Sequence, residues 1–547
     1  MSDSDKERGA YYTSAQVART LVRWAIRSAN DTVLDPSCGT GVFLEAACSR
    51  VISLGGSSRT IFGIELEQNA YCQTASKLSV YSKHPPTLLR NDFFAIQNIS
   101  LPAMKAVVGN PPFIRFQRFK GDSRRQALDR AREVGVTISP LTSSWAPFVV
   151  YACHFLQKDG RLAMVLPREI LQARYARPVL EFLQKSFRNT TFISFWERLF
   201  PGLDQDTLIV LAEGHKQPFD GFFFSELDGI DTLEQDEHEI ATTARRIEHV
   251  PLISGERNIR HLQIPSTTLE LYERLTLHPK TVRLGEVSQI KNGHVSGANR
   301  FFHLSHETVR EHRLPLEVLR VAIFNSRALQ GPIFSQSDWS VASSQGNAGY
   351  LLHIGDKVVH DTVHTYLNRK EALGLLQRYK LRTRKPWYRI PGVTVPPTFL
   401  SYMSGERCWL IQNEANVVVP NTFHTVVPHA EKNIGGDTNA PASLCSSWLS
   451  SLTRLSTELE GHTLGGGMLK LEPSEAKRVL LVSPTQGALD LKTVNRLVRK
   501  DAWDQVQEMA DRHFLEGILE LSERECSMLL EAVNLLSQER RGRRRVG

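Results

Sequence analysis

"TVLDPSCGTGVFL" (Thr32–Leu44) reads as a β-strand ending at Asp35, a glycine-containing turn, and a helix starting near Val42. That order places Asp35 at the carboxyl end of a buried strand, where open α/β sheets bind their ligands. Gly39 and Gly41 permit close approach of the backbone to such a ligand. The spacing is neither Gly-x-Gly-x-x-Gly nor a phosphate loop ending in Lys-Ser/Thr, so a nucleotide diphosphate fits poorly and an adenosyl group without phosphates fits better.

Working outward, "TIFGIEL" (60–66) is a second strand ending near Glu65, with a helix from about Gln68. An acid at that position accepts both hydroxyls of a ribose. "LLRNDFF" (88–94) puts Asp92 at a third strand end, suited to an adenine amino group, and Phe93 beside it as a ring to stack on the base. "AVVGNPPFIRFQRF" (106–119) is a fourth strand that stops at a double-proline turn. Farther along, 146–157 reads as helix, 160–167 as strand, and 168–187 as a helix disturbed at Pro178, followed by the strands "TTFISFW" and "TLIVLAEG". This alternation over 30–215 predicts an α/β domain with a parallel, doubly wound Rossmann-like sheet.

The Asn110-Pro111-Pro112-Phe113 turn has a chemical reading. An exocyclic amino group of a base is a poor nucleophile because its lone pair is delocalised into the ring. Two acceptors aimed at its two hydrogens favour pyramidal nitrogen and free that lone pair for an electrophilic methyl group. The Asn110 side-chain oxygen and the Pro111 carbonyl suit this role, since prolines hold the local geometry rigid. Phe113, read as an exposed ring, offers a face for a planar base. Arg115 and Arg118 follow as candidate phosphate contacts, or as solvated loop charges. No Pro-Cys dipeptide occurs, so the thiolate chemistry of cytosine C5 methylation is not expected.

In motif order, the chain resembles the gamma-class, TaqI-like amino DNA methyltransferases. "GAYYTSAQVARTLV" (9–22), "DPSCGTG" (35–41), "NPPF" (110–113), "WAPFVVYACHFLQKDGRLAMVLP" (145–167) and "RLFPGLDQDTLIVLAEG" (198–214) carry the resemblance. It implies a class I methyltransferase domain that uses S-adenosyl-L-methionine, with Thr13, Asp35, Ser37, Gly39, Gly41, Glu65, Asp92, Phe93 and Phe148 at the cofactor. It also implies that Asn110, Pro111, Pro112 and Phe113 form the catalytic turn, and that Phe113 and Phe200 hold the target base. The family often has Tyr where this chain has Phe113. The expected activity is methyl transfer to N6 of an adenine flipped out of double-stranded DNA, in a prokaryotic restriction–modification system with any endonuclease on a separate chain. Cytosine N4, RNA guanine N2 or protein glutamine as acceptor, and an inactive DNA-binding specificity subunit, stay open as alternatives. "IKNGHVSGANRFF" (290–302), "RKPWYRIP" (384–391), "VVPNTFHTVVP" (418–428) and "HTLGGGMLKLEPSEAKRVLLVSP" (462–484) resemble landmarks of the target-recognition region in related enzymes.

At 547 residues the chain is too long for one core. Changes in rhythm predict a catalytic domain over 1–245, whose last part from 215 reads as a polar connector continuing to about 260. A mixed α+β target-recognition domain follows over 246–484, then a helical segment over 485–547 with a basic tail. The tail "QERRGRRRVG" carries Arg540, Arg541 and Arg543 to Arg545, either a phosphate-contacting arm or a solvated end. A net charge of +8 permits a polyanionic partner without requiring one. No apolar run approaches membrane-spanning length and no signal-peptide core is present, so a cytoplasmic, DNA-associated protein is expected. Seven cysteines without a Cys-x-x-Cys pair indicate neither a disulfide framework nor a zinc ribbon. His303 and His306 lack an obvious third ligand and read as polar loop residues, so no metal is expected.

Overall fold

The computed structural model describes residues 13–81, 83–97, 100–196, 199, 206–235, 244–355, 360–369, 374–429, 440–464 and 467–542. The chain divides into two compact units, one ending at Gln263 and one starting at Ile264.

The first unit is built on a nine-stranded sheet. Its strands are β1 (Val33–Asp35), β2 (Ile61–Glu65), β3 (Thr87–Arg90), β4 (Met104–Gly109), β5 (Leu156–Pro167), β6 (Phe187–Phe195), β7 (Thr207–His215), β8 (Gly221–Leu227) and β9 (Arg245–Ile247), in the order 3-2-1-4-5-7-6-8-9. Strands β1 to β5 run parallel to one another. The second half of β5, Leu162–Pro167, is a continuous apolar run and lies buried with Arg161, as a stretch covered on both faces must. Its flanking helices include α1 (Ala15–Ala25), α2 (Val42–Ser53), α3 (Gln68–Leu78), α4 (Gly121–Glu133), α5 (Trp145–Cys153) and α6 (Arg177–Ser186).

The sheet differs from the sequence reading in three ways. β7 slots between β5 and β6 antiparallel to both; the eleven residues between Phe195 and Thr207 are fewer than a parallel crossover needs. Pro178 does not disturb a long helix. Two 3-10 turns occupy Arg168–Leu171 and Arg174–Ala176, and Pro178 lies in the first turn of α6, where its missing N–H has no intrahelical partner to lose. Residues 215–260 are not a mere connector. β8 joins β6 in parallel, and β9 pairs antiparallel with β8 and carries the sheet beyond residue 245.

The second unit holds a five-stranded sheet ordered Ser288–Asn292, Phe423–Pro428, Thr398–Ser401, Leu410–Asn413, Ile333–Phe334, together with smaller sheets and helices. The C-terminal helices share one hydrophobic core with it. Phe514, Leu529 and Leu536 pack in the same cluster as Leu400, Leu444 and Leu481, so the residues after 484 are not a separate segment. Arg540 is neither arm nor solvated end. It is fully buried, donating to Glu458 at 2.8 Å and to the Gly405 carbonyl at 2.9 Å. Arg543 to Arg545 lie outside the described residues. His303 begins a short strand and stacks on Phe324 at 4.5 Å rather than lying in a loop. Among the described residues no helix is long and apolar enough to cross a membrane.

Candidate active site

Strands β3, β2, β1 and β4 are neighbours and parallel, so their carboxyl ends stand side by side. Asp35 ends β1, Glu65 ends β2, Asp92 lies just past β3, and Asn110 follows β4.

Asp35 is 1% exposed. Its Oδ1 accepts the Ser37 N–H at 3.1 Å, while Oδ2 is buried without a hydrogen-bond partner. Burial pushes its carboxyl up to about 8; the Ser37 N–H opposes this and the Glu65 charge adds to it. Gly109 is what lets β4 come this close. Its φ is +155°, and a Cβ there would lie 2.9 Å from Asp35 Oδ1.

Glu65 ties the glycine loop to its own strand. Oε2 accepts the Gly39 N–H at 2.8 Å and Oε1 accepts the Glu67 N–H at 2.7 Å. Each carboxylate oxygen retains a second lone pair, enough for a pair of ligand hydroxyls. α3 supports the loop from behind. Thr74 Oγ1 donates to the Gly39 carbonyl at 2.7 Å and Lys77 Nζ to the Thr40 carbonyl at 2.9 Å. Gly41 caps α2 at φ +85°, where a Cβ would meet the Thr74 methyl at 2.8 Å. Asp92 is half-buried, and its Oδ1 accepts the Phe94 N–H at 2.9 Å.

Asn110 Nδ2 donates to Thr13 Oγ1 at 3.1 Å, which leaves Oδ1 as the free end of the amide, buried and without a partner. The structure thus joins two residues 97 positions apart. Sequence reasoning missed Ser144. Its hydroxyl donates to the Pro112 carbonyl and accepts the Ile114 N–H at 2.9 Å, and its own N–H donates to the Ile114 carbonyl at 3.0 Å. Its position before the apolar run of α5 is a helix-cap signal. Yet the hydroxyl makes no cap bond and goes to the catalytic turn instead. The carbonyl it occupies is that of Pro112, not of Pro111.

The exposure expected of Phe113 is corrected. Phe113 is 3% exposed and belongs to the domain core, because the turn clamped by Ser144 folds its ring inward. Phe93 and Phe148 are also core residues, with ring centroids 4.7 Å apart, and Phe93 packs in addition on Tyr151 and Phe155. They form a wall rather than open stacking faces. Arg115 and Arg118 are exposed. Phe200 lies outside the described residues.

Three buried polar atoms without partners therefore gather at two adjacent strand ends: Asp35 Oδ2, Ser37 Oγ and Asn110 Oδ1. Buried polar groups are normally satisfied, so this set is suited to a ligand rich in N–H, O–H and positive charge. S-adenosylmethionine, with an ammonium, a sulfonium, a ribose and an adenine amino group, fits the Asp35 and Ser37 atoms, and the amino group of a base fits Asn110 Oδ1. Among the described residues, no three His, Cys, Asp or Glu side chains are grouped to hold a metal ion.

The strand order 3-2-1-4-5-7-6 and acidic residues at successive strand ends define a class I methyltransferase domain. Residues 1–242 match the N-6 DNA methylase family, and residues 256–515 match the C-terminal domain of the type II methyltransferase M.Eco57I. Over residues 1–242 the chain is thus similar to N-6 DNA methylases, and it is an adenine-specific, site-specific DNA methyltransferase of the restriction–modification kind. It is 19% identical to the type II methyltransferase M.AccI of Acinetobacter calcoaceticus over 90% of this chain and 88% of that one. It is 21% identical to M.XamI of Xanthomonas campestris pv. amaranthicola over 87% and 85%. The structure of the type IIL restriction–modification enzyme MmeI in complex with DNA shares the fold, with a TM-score of 0.54 at 14% identity, covering 99% of this chain and 77% of that one.

Proposed function

We propose that the first unit binds S-adenosylmethionine at the ends of β1, β2 and β3 and methylates an adenine flipped out of double-stranded DNA, with the second unit selecting the site. The observation that carries this reading is Asn110 Oδ1, buried and unpartnered beside Asp35 while Thr13 holds the other end of the amide. Asp35 and Ser37 take cofactor N–H or cationic groups, Glu65 the ribose hydroxyls, and Asp92 the adenine amino group. Gly39 and Gly41 shape the loop around the cofactor, and Phe93 and Phe148 wall the adenine pocket. The cofactor supplies an electrophilic methyl group. Asn110 Oδ1 and the Pro111 carbonyl accept the two amino hydrogens of the target base, so its nitrogen becomes pyramidal as the lone pair turns outward. Ser144 fixes the turn by holding Pro112 and Ile114. The protein acts on chromosomal DNA in the prokaryotic cytoplasm, with any restriction endonuclease of the system on a separate chain.

Glu65→Ala weakens S-adenosylmethionine binding by roughly ten- to a hundredfold, the worth of hydrogen bonds to a charged group. Calorimetry on the folded variant checks this; unchanged affinity removes Glu65 from the site. The same titration carries a pH test. In the ligand-free chain Asp35, pushed up to about 8, holds its proton at neutral pH. A cationic or donor group beside it favours the carboxylate, so binding releases a proton. Affinity then rises with pH, by up to about tenfold per unit below about 8, and levels off once Asp35 is already ionised. Proton release, read from the binding heat in buffers of different ionisation enthalpy, follows the same curve. No release near neutrality contradicts the assignment. By the same linkage the ligand-free chain loses stability as pH rises from the ordinary carboxyl value of 3.8 towards about 8.

A further inference from the structure

The chain's net charge of +8 equals the charge of two short segments of the second unit. Residues 378–389 ("RYKLRTRKPWYR") carry six basic side chains and residues 288–302 ("SQIKNGHVSGANRFF") carry two, and neither segment contains an acid. The structure places them against one another. Arg384 donates to the carbonyls of Ser296 at 2.7 Å and Val295 at 2.6 Å, and Arg378 donates to that of Gly297 at 3.2 Å. Three consecutive carbonyls of the loop are thus held by guanidinium groups. At Gly297, φ is +83° and a Cβ would lie 3.2 Å from Lys380 Cβ, so the two backbones are in close approach. Trp387 packs on Phe301 and Phe302, with centroids at 5.7 and 6.2 Å, and Leu381 is fully buried.

The segment is therefore rigidly anchored, and three of its other charges face solvent. Lys380, Arg382 and Lys385 are exposed, and none pairs with a carboxylate among the described residues. Tyr379 stands among them, 68% exposed. Cations on a fixed platform, with an exposed aromatic and no acid in either segment, match a polyanionic backbone better than they match a protein surface. Lysines and arginines without carboxylate neighbours bind phosphates with little sequence preference.

We propose that residues 378–389, braced on the loop 293–302, form a phosphate-contacting platform for double-stranded DNA in the second unit. Lys380, Arg382 and Lys385 make the contacts, and Arg384 and Trp387 hold the platform in shape. This deepens the function proposed above and rests on it.

The test uses the full-length chain and its Lys380→Ala/Arg382→Ala/Lys385→Ala variant, binding a fluorescent DNA duplex of random sequence over a salt series. Each lost phosphate contact lowers the slope of log K against log salt by about 0.9. The variant therefore shows a slope smaller by about two to three, and affinity at least tenfold weaker at low salt. Its affinity for S-adenosylmethionine and its melting temperature stay at wild-type values. An unchanged slope, with wild-type methylation of DNA intact, overturns the platform alone. Preferential binding of an RNA duplex by the wild type overturns DNA as the occupant. A wild-type chain that neither binds nor methylates duplex DNA overturns the functional reading together with the platform.

Discussion

Asn110→Ala lowers the single-turnover rate of methyl transfer by about a hundredfold or more, the usual loss when a preorganised acceptor or donor is removed from a transition state. The physical reason lies in the geometry of the amide. Thr13 holds Nδ2, so Oδ1 is free to accept from the base, and it is buried without any competing partner. That acceptor gains strength only as the amino nitrogen becomes pyramidal, so the loss falls on turnover rather than on binding. Cofactor affinity stays, because Asp35 and Glu65 are untouched. Duplex affinity stays, because most of it comes from phosphate contacts. Asn110→Asp is a sharper version. It keeps an acceptor but loses the N–H that Thr13 receives, and it adds a charge beside the buried Asp35. Turnover near wild type in either variant, with folding intact, removes Asn110 from the chemistry.

Phe113→Ala is expected to act twice. The ring is buried in the core of the first unit, so its deletion lowers stability by about 3–5 kcal/mol. The family resemblance also gives this ring the face that receives the flipped base, so its deletion is expected to disfavour flipping by roughly 1–3 kcal/mol. These effects separate in Phe113→Leu, which retains most of the apolar volume and none of the planar face. That variant melts close to wild type but flips a fluorescent base analogue less well and turns over more slowly. Wild-type flipping and turnover in Phe113→Leu assign the ring to the core alone.

The four strand ends were legible because each is announced locally. An apolar run stops at Asp35, Glu65, Asp92 or Asn110, and the run itself declares the strand. What lay beyond reach depends on partners distant in the chain. The direction of β7 follows from the short path that leads into it, not from its own composition, which resembles that of the parallel strands β4 and β5. β8 and β9 hide in a stretch whose polar, acidic residues dominate its average. The aromatic character of Phe93, Phe113 and Phe148 says that each packs against something, but not whether a base or the core supplies the contact. Ser144 carries an ordinary helix-cap signal, and only the fold shows its hydroxyl reaching a turn about thirty residues upstream. Arg540 looks like part of a solvated arginine run until Glu458, 82 residues earlier, is found beside it.

The most direct test is to express the chain in cells lacking other DNA methyltransferases and to sequence their DNA by a single-molecule method that reports modified bases. N6-methyladenine in one short recognition sequence, absent from cells carrying Asn110→Ala, is the predicted result. Methylation confined to cytosine, or unmodified DNA from cells containing folded, cofactor-binding protein, would contradict it.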